Sequence, residues 1–311
     1  MAVALVTGVA GFIGAHVARR FLQEGYRIVG VDDLSTGKAA NVPPAVDFLQ
    51  GDLALDSTVR QLPQGCDVIL HLAGQSSGEI SFDDPIDDLQ RNVVSTLNLI
   101  RYGLANHVGR LVYASSMSVY GAVPDAPVSE EQRCRPLSCY GVGKHAAEGY
   151  LRTYASKLPF VALRMFNVYG PGQNMQNLRQ GMVSIYLAQA LADRRIEVKG
   201  SLERFRDFIY IDDVVEAWFR AATYPAARNQ TLNIATGVRT SVRELLERVC
   251  ALLPGCSYSV TDPTPGDQLG IYANVVRTRE CLALARFIEL DQGLAAFVNW
   301  AQSERDLQVK P

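Results

Sequence analysis

The chain has 311 residues, of which 48% are hydrophobic and 20% are charged, and its formal net charge is −2. This length allows a full hydrophobic core, and the composition excludes a disordered tail, a coiled coil and a strongly basic nucleic-acid binder. The apolar runs are far shorter than the ~18 residues that a bilayer crossing needs, so no membrane span is expected.

The N-terminal segment is apolar, but it has neither the basic start nor the cleavage site of a signal peptide, which indicates a cytoplasmic protein. The six cysteines show no C-x-x-C spacing, and the four histidines are scattered along the chain. Neither a metal site nor a disulfide framework is therefore expected.

Up to about residue 170, short β-branched runs alternate with longer segments of helical period. The helix candidates include Phe12 to Glu24 and Ile86 to Asn106, and in the second of these apolar residues recur three or four apart. This alternation predicts an α/β fold in which residues 1–170 form a Rossmann-like doubly wound parallel sheet that binds NAD. The candidate strands are Ala2 to Thr7, Arg27 to Asp32, Val46 to Gln50, Val68 to Leu72, Arg110 to Ser115 and Phe160 to Phe166.

From residue 171 to residue 311 the alternation is less regular. We expect a smaller mixed α/β lobe here that mainly binds the substrate, with the chain crossing back between the two lobes. The elements expected are a helix near Gly181 to Asp193, strands near Phe208 and Leu232, helices near Val214 and Val242, and a last amphipathic segment from Asp291.

A glycine-rich turn follows the first predicted strand directly. Glycine permits a tight turn and lets backbone N–H groups approach a pyrophosphate at the positive end of the following helix. Asp32 ends the second strand, 18 residues after Gly14, and a carboxylate there binds both ribose hydroxyls and repels a 2′-phosphate, which favours NAD over NADP. A plain strand–helix turn with a surface aspartate is the alternative. The residues of the turn expected to contact the cofactor are Gly8, Gly11, Phe12, Ile13 and Gly14.

Two further aspartates lie near the expected cofactor. Asp33 follows Asp32 directly and is expected to face solvent. Asp52 follows the third strand and is a candidate for contact with the adenine, with an ordinary turn aspartate as the alternative.

Tyr140 and Lys144 lie four residues apart and therefore share one face of a predicted helix. A nearby ammonium favours the phenolate, and a positively charged nicotinamide would favour it further. Together they lower the tyrosine pKa from about 10 toward neutrality, which makes the phenol a usable general base. Ser116 ends a strand at the carboxyl edge of the sheet, where ligands bind in this fold. An ordinary Tyr and Lys on a helix are the alternative interpretation of this pattern.

Together these elements resemble the extended short-chain dehydrogenase/reductase family, and within it the nucleotide-sugar epimerases and dehydratases, most of all the UDP-hexose 4-epimerases. The resemblance covers essentially the whole chain. Further matching segments are Leu70-His-Leu-Ala-Gly74, Asn92-Val-Val-Ser-Thr96, Phe166-Asn-Val-Tyr-Gly-Pro171 and Arg206-Asp-Phe-Ile-Tyr-Ile-Asp-Asp213.

The resemblance implies a role for each matching residue. Tyr140 corresponds to the base that takes the proton from the sugar 4-hydroxyl while hydride passes from C4 to NAD. Lys144 would lower the pKa of that phenol and hold the nicotinamide ribose, and Ser116 would bind the reacting oxygen. The other cofactor contacts that the resemblance implies are Leu53, Leu72, Ala73 and Asn92.

The resemblance also implies substrate contacts. Asn167 and Arg206 correspond to residues that bind the diphosphate, although an ion pair of Arg206 with Asp212 or Asp213 is an alternative. Asp267 corresponds to a ligand of the nucleotide ribose, with a turn aspartate as the alternative. The expected partner is a UDP-linked sugar, with no nucleic acid and no membrane. A homodimer is expected through the helices Ile86 to Asn106 and Tyr140 to Lys157.

The two residues after Ser116 indicate which reaction the protein catalyses. Relatives that eliminate water carry Asp-Glu directly after the hydroxyl residue, whereas this chain has Met117 and Ser118, neither of which exchanges a proton near neutral pH. This predicts NAD-dependent 4-epimerisation. A dehydratase, a decarboxylase or a reductase of the same fold is the alternative, and a sensor without catalysis is disfavoured because Tyr140 and Lys144 are both present.

Some positions depart from the family pattern and leave the identity of the substrate sugar undetermined. Thr264 stands where relatives often have an arginine for the diphosphate, for which Arg277 or Arg279 is a candidate replacement. Ser76 replaces a lysine that contacts the cofactor in some hexose epimerases. Ile271 aligns with a position that in relatives lies beside the C2 substituent of the sugar. The isoleucine either leaves space for an N-acetyl group there or belongs to the hydrophobic core.

Overall fold

The structure is a computed structural model that describes residues 1–179, 181–261 and 269–309, with side chains up to residue 304. Within these residues no helix is long and apolar enough to cross a membrane. The strands are β1 Val3–Thr7, β2 Arg27–Asp32, β3 Asp47–Gln50, β4 Val68–His71, β5 Arg110–Ser116, β6 Phe160–Met165, β7 Asn167–Tyr169, β8 Arg195–Lys199, β9 Phe205–Arg206, β10 Phe208–Tyr210, β11 Gln230–Ile234, β12 Thr240–Ser241 and β13 Ser257–Thr261. The helices are α1 Phe12–Gln23, α2 Asp56–Val59, α3 Pro85–Leu89, α4 Ser95–Ala105, α5 Cys139–Tyr154, α6 Met182–Asp193, α7 Ile211–Thr223, α8 Val242–Leu252, α9 Val276–Leu282 and α10 Leu290–Val309.

Seven parallel strands form the central sheet in the order β11-β6-β5-β4-β1-β2-β3. The six strands predicted in the first half are present, and their ends differ from the predicted ends by at most one residue. Because β1 lies between β2 and β4, the strand order reverses there, and a crevice opens at the carboxyl ends of these strands. The sheet confirms the predicted doubly wound Rossmann-like fold.

Helices cover both faces of this sheet, since successive side chains of a strand point to opposite sides. Leu5 of β1 packs in one core cluster with residues of α4 and α5. Its neighbour Val6 packs in another with Phe21 of α1. The ring of Phe21 lies 5.4 Å from the ring of Phe219, so α7 from the second half of the chain packs against α1. The two halves therefore share one core.

The second half also builds smaller sheets beside the first. Strands β7 and β10 pair in parallel, as do β8 and β13, and β9 pairs with β12 in antiparallel fashion. The strand expected near Leu232 is β11, which lies at the edge of the central sheet beside β6. The chain thus crosses back to the first lobe after α7.

The helix predicted from Ile86 to Asn106 is interrupted. A π-helical turn at Gln90–Val94 separates α3 from α4, and the hydroxyls of Ser95 and Thr96 bind carbonyl oxygens four residues earlier in this turn. Before this turn, Ile86 and Leu89 are 66% and 49% exposed, whereas Val93 in the turn and Ile100 beyond it are buried. Apolar spacing alone does not reveal such a turn.

Candidate active site

A cleft lies at the carboxyl edge of the central sheet, where the strand order reverses. Every residue predicted to contact the cofactor lines this cleft, with the exception of Asn92, which is buried behind it. Ser76 also lines the cleft. The structure therefore brings together residues from the first 144 positions of the chain at one site.

The glycine turn leaves no room for larger side chains. Gly8 has a φ of +69°, and a Cβ atom there would lie 2.7 Å from the backbone nitrogen of Ala73. A Cβ atom on Gly14 would lie 2.0 Å from the carbonyl oxygen of Gly8. Gly11 caps α1 without a side-chain hydrogen bond, so the first N–H groups of the helix face the cleft uncapped by any side chain of the described chain. This cradle fits a pyrophosphate.

Asp32 is fixed at the end of β2 by two backbone donors. Its Oδ2 accepts the N–H of Ala10 at 2.9 Å, and its Oδ1 accepts the N–H of Leu34 at 2.8 Å. Each oxygen retains a lone pair, so the carboxylate is held in place with acceptors for two ribose hydroxyls. The residues present thus fit NAD at both its pyrophosphate and its ribose.

Tyr140, Lys144 and Ser116 come together at the inner end of the cleft. Ser138 caps α5 by accepting the N–H of Gly141 at 3.1 Å, which places Tyr140 in the first helical turn. Lys144 Nζ lies 5.7 Å from the centre of the Tyr140 ring. Ser116, at the end of β5, forms a hydrogen bond with the Tyr140 hydroxyl. The predicted hydroxyl, phenol and ammonium groups therefore lie side by side.

Burial dominates the electrostatics of these groups. It raises the pKa of Tyr140 to about 12, although the hydrogen bond with Ser116 acts in the opposite direction. It also lowers the pKa of Lys144 to about 8, against the influence of the negative charge of Asp88. The residues of the chain alone do not compensate for the burial of a phenolate, so they do not by themselves produce the expected shift of the phenol pKa toward neutrality. A further positive charge beside the ring is needed to bring the pKa of Tyr140 toward neutrality.

Asp88 and Asn92 lie behind Lys144. Asn92 Nδ2 donates to Asp88 Oδ1 at 3.1 Å, and Asn92 Oδ1 is buried with no hydrogen-bond partner among the described residues. A Cβ atom on Gly74 would lie 2.5 Å from that oxygen and 3.4 Å from Lys144 Nζ, so the amide and the ammonium flank the same glycine. Burial raises the pKa of Asp88 to about 6, and the charge of Lys144 opposes this rise. Asn92 and Lys144 thus lie on either side of Gly74 at the back of the cleft.

Replacing Asp88 with asparagine should move the alkaline limb of the pH profile of kcat/KM to lower pH by about one unit. The carboxylate raises the pKa of Lys144, so its removal lets the ammonium lose its proton at a lower pH. The profile measured from pH 6 to 10 checks this. Asp87→Asn is the control, because Asp87 pairs with Arg91 on the surface, and an equal shift in that variant would contradict the prediction.

The predicted substrate residues lie near the junction of the lobes. Asn167 Nδ2 donates to the carbonyl oxygen of Asp207 at 3.1 Å and lies 3.6 Å from Met117 Sδ. Arg206 Nη1 donates to the carbonyl oxygen of Phe205 at 2.7 Å. Asp267 and Thr264 lie outside the described residues, so the structure does not place them.

The positions that depart from the family pattern have local partners. Arg277 pairs with Glu131 at 2.6 Å, and the Arg279 guanidinium lies 5.7 Å from the centre of the Phe287 ring. Ile271 is buried in a cluster of apolar side chains, which agrees with core packing. These contacts favour a structural role for all three side chains.

The structure also adds residues that the sequence analysis missed. Gln173, Asn174 and Asn177 reach the cleft from the second half of the chain. The sequence signal that could have located them is the run of amide side chains after Gly172. Asp33, expected to face solvent, is half-buried in the same cleft and bonded to Arg91.

The sheet and the glycine turn are typical of a dinucleotide-binding α/β protein. Residues 4–235 match the model of the NAD dependent epimerase/dehydratase family. UDP-glucose 4-epimerase of Mycolicibacterium smegmatis is 36% identical over 310 residues, which cover 96% of this chain and 98% of that protein. The chain belongs to the NAD-dependent epimerase/dehydratase family.

Solved structures agree with this assignment. UDP-glucose 4-epimerase from Thermotoga maritima, solved with UDP-glucose, matches with a TM-score of 0.93 and 29% identity, over 97% of this chain and 99% of that one. UDP-glucose 4-epimerase from Thermus thermophilus, solved with NAD, matches with a TM-score of 0.88 and 30% identity, over 96% of this chain and 99% of that one. The family resemblance and NAD as the cofactor, both predicted from sequence, are confirmed.

Proposed function

We propose that this chain is an NAD-dependent 4-epimerase that inverts C4 of a UDP-linked sugar through a transient 4-keto intermediate. The observation that carries this proposal is the group of Ser116, Tyr140 and Lys144 beside the cofactor cleft, with Met117 and Ser118 in place of an acid–base pair. The similarity to UDP-glucose 4-epimerases over nearly the whole chain supports it.

In this mechanism Tyr140 takes the proton from the sugar 4-hydroxyl and later returns it. Ser116 shares a hydrogen bond with the phenol and is placed to hold the reacting oxygen. Bound NAD supplies the hydride acceptor for C4 and a positive charge that favours the phenolate. Lys144 adds a second positive charge from the next turn of α5. Gly8, Gly11 and Asp32 would hold the cofactor in place.

Elimination of water needs a further acid and base beside the sugar, and the turn after β5 provides neither. Met117 has no proton to exchange, and the Ser118 hydroxyl accepts a hydrogen bond from Ser116 at 3.2 Å. The Met117 thioether lies against Asn167 instead. The local chemistry therefore favours return of hydride to C4 over loss of a hydroxyl group.

Incubation with UDP-hexoses, UDP-N-acetylhexosamines and UDP-hexuronates in deuterated water tests the proposal. We expect an isomer of unchanged mass with no deuterium bound to carbon, because the C4 hydrogen is transferred directly and does not exchange with solvent. Mass spectrometry and NMR of the product provide the measurement. A product that is lighter by water or carbon dioxide, or that carries deuterium at C5 or C6, would show a dehydratase or decarboxylase and overturn the proposal.

A homodimer in the cytoplasm is part of this proposal. The surface of α3 and α5 exposes large apolar side chains, including Ile86, Val142 and Tyr154, which supports pairing through these helices. We expect sedimentation velocity at micromolar concentration to show a dimer, and a monomer alone would contradict this. The division of the chain into residues 1–170 for NAD and 171–311 mainly for the nucleotide sugar also stays a prediction.

A further inference from the structure

Arg91 lies between two carboxylates beside the loop that follows β2. Its Nη1 donates to Asp33 Oδ2 at 2.7 Å and to Ser35 Oγ at 2.8 Å. Its Nε donates to both carboxylate oxygens of Asp87, at 2.7 and 2.8 Å. Ser35 in turn donates its N–H and its hydroxyl to Asp33 Oδ1. One guanidinium is thus shared by two acids and a hydroxyl group.

This cluster borders the place of the adenosine ribose. Asp33, Ser35 and Arg91 all line the cofactor cleft, and the first two belong to the loop that follows Asp32 at the end of β2. In dinucleotide-binding folds a carboxylate at the end of the second strand selects NAD, whereas an arginine nearby accommodates the 2′-phosphate of NADP. This cleft contains both kinds of group, and they favour opposite cofactors.

We propose that Asp33 is a second specificity-determining residue for the cofactor, because its ion pair withholds the Arg91 guanidinium from a 2′-phosphate. A phosphate that approached Nη1 would have to displace a carboxylate already bonded at 2.7 Å. The inference rests on NAD as the cofactor of the family and not on the identity of the sugar.

The charge state of Asp33 fits this role. Burial acts to raise the pKa of its carboxyl, but the hydrogen bonds from Ser35 and the charge of Arg91 outweigh burial and lower the pKa below its ordinary value. Asp33 is therefore ionised at neutral pH, and the pair with Arg91 is a full ion pair.

Asp87 provides a matched control on the same guanidinium. It holds Nε from α3 and is not one of the described residues that line the cleft. Removal of the Asp33 charge takes away the counter-charge of Nη1, while Asp87 still anchors the arginine. Removal of the Asp87 charge leaves Nη1 on Asp33.

Competition between NADP⁺ and NAD⁺, read by native mass spectrometry of the purified full-length protein, tests the inference without any sugar. Asp33→Asn should improve the ratio of NADP⁺ to NAD⁺ affinity at least tenfold over the wild type. Asp87→Asn should leave the ratio within about twofold. In the double variant Asp33→Asn with Arg91→Gln the gain should disappear, as a double-mutant cycle requires for a coupled pair.

Three results would overturn the inference. One is an unchanged ratio in Asp33→Asn, while NAD⁺ still binds and shows that the variant is folded. Another is a gain that persists without Arg91, which would mean that Asp33 acts only through its own charge. The third is a wild type that binds neither nucleotide. A sugar product other than an epimer would overturn the proposed reaction and leave this inference standing.

Discussion

Replacing Tyr140 with phenylalanine should lower kcat by about a thousandfold, which is within the range for loss of a general acid–base group. The phenol is the buried hydroxyl that Ser116 contacts, and serine itself does not take a proton near neutral pH. Loss of one oxygen atom leaves the packing of the ring unchanged, so the thermal midpoint and the amount of bound NAD should stay as in the wild type. Steady-state turnover and native mass spectrometry give these readouts.

Tyr150 supplies the control for this experiment. It lies on the same helix as Tyr140, but its side chain is on the surface, 42% exposed. Tyr150→Phe makes the same chemical change and should retain full turnover. If Tyr140→Phe kept more than about a tenth of wild-type turnover, the assignment of Tyr140 as the base would be wrong.

Replacing Glu148 with glutamine should lower the free energy of unfolding by about 3–5 kcal/mol, because it leaves a buried guanidinium without its counter-charge. Glu148 and Arg164 are both buried, and they meet through two hydrogen bonds, Nε to Oε1 at 2.9 Å and Nη2 to Oε2 at 2.7 Å. Ser115 donates to the same carboxylate at 2.5 Å. The group joins α5 to β5 and β6, one turn beyond Lys144.

Urea unfolding measures this loss, and its pH dependence has a defined sign. Burial acts to raise the pKa of Glu148, but the bonds from Arg164 outweigh burial and lower the pKa to about 2. A carboxyl with a lowered pKa in the folded state stabilises the fold above its ordinary pKa, and this contribution is lost as the pH falls toward 2. The difference between wild type and variant should therefore shrink below about pH 4.5.

A surface ion pair provides the comparison. Glu203 pairs with Arg243 at 2.9 Å, but its side chain is 70% exposed. Glu203→Gln should change the free energy of unfolding by less than about 1 kcal/mol. Equal effects of the two substitutions would contradict the role given to the buried pair.

The fold was predictable where neighbouring residues in the sequence determine it. Most strands of the central sheet are short apolar runs that are buried, and β1 to β6 could be located to within one residue, including the largely exposed edge strand β3. The place of β11 could not be predicted, because β6 and β11 lie far apart in the sequence and no local pattern specifies their pairing. The π-helical turn at Gln90–Val94 depends on side-chain hydroxyls and not on apolar spacing.

The candidate active site, like the fold, was predictable only where local sequence patterns determine it. Asp32, Tyr140 and Lys144 belong to local patterns, a glycine turn with a following acid and a helical pair, which the family resemblance reinforces, and all three line the cleft. Asp88 and Arg91 were missed because their partners lie far away in the sequence, on α5 and in the loop after β2.

The position of β11 determines when the central sheet can be completed during biosynthesis. Residues 1–170 contain the glycine turn and the Tyr–Lys pair, but β6 remains an open strand edge until residues 230–234 have left the ribosome. An unpaired edge of this kind invites pairing with other chains. A fragment that ends near residue 170 should therefore aggregate, and the nascent enzyme depends on its second half for protection before it is released.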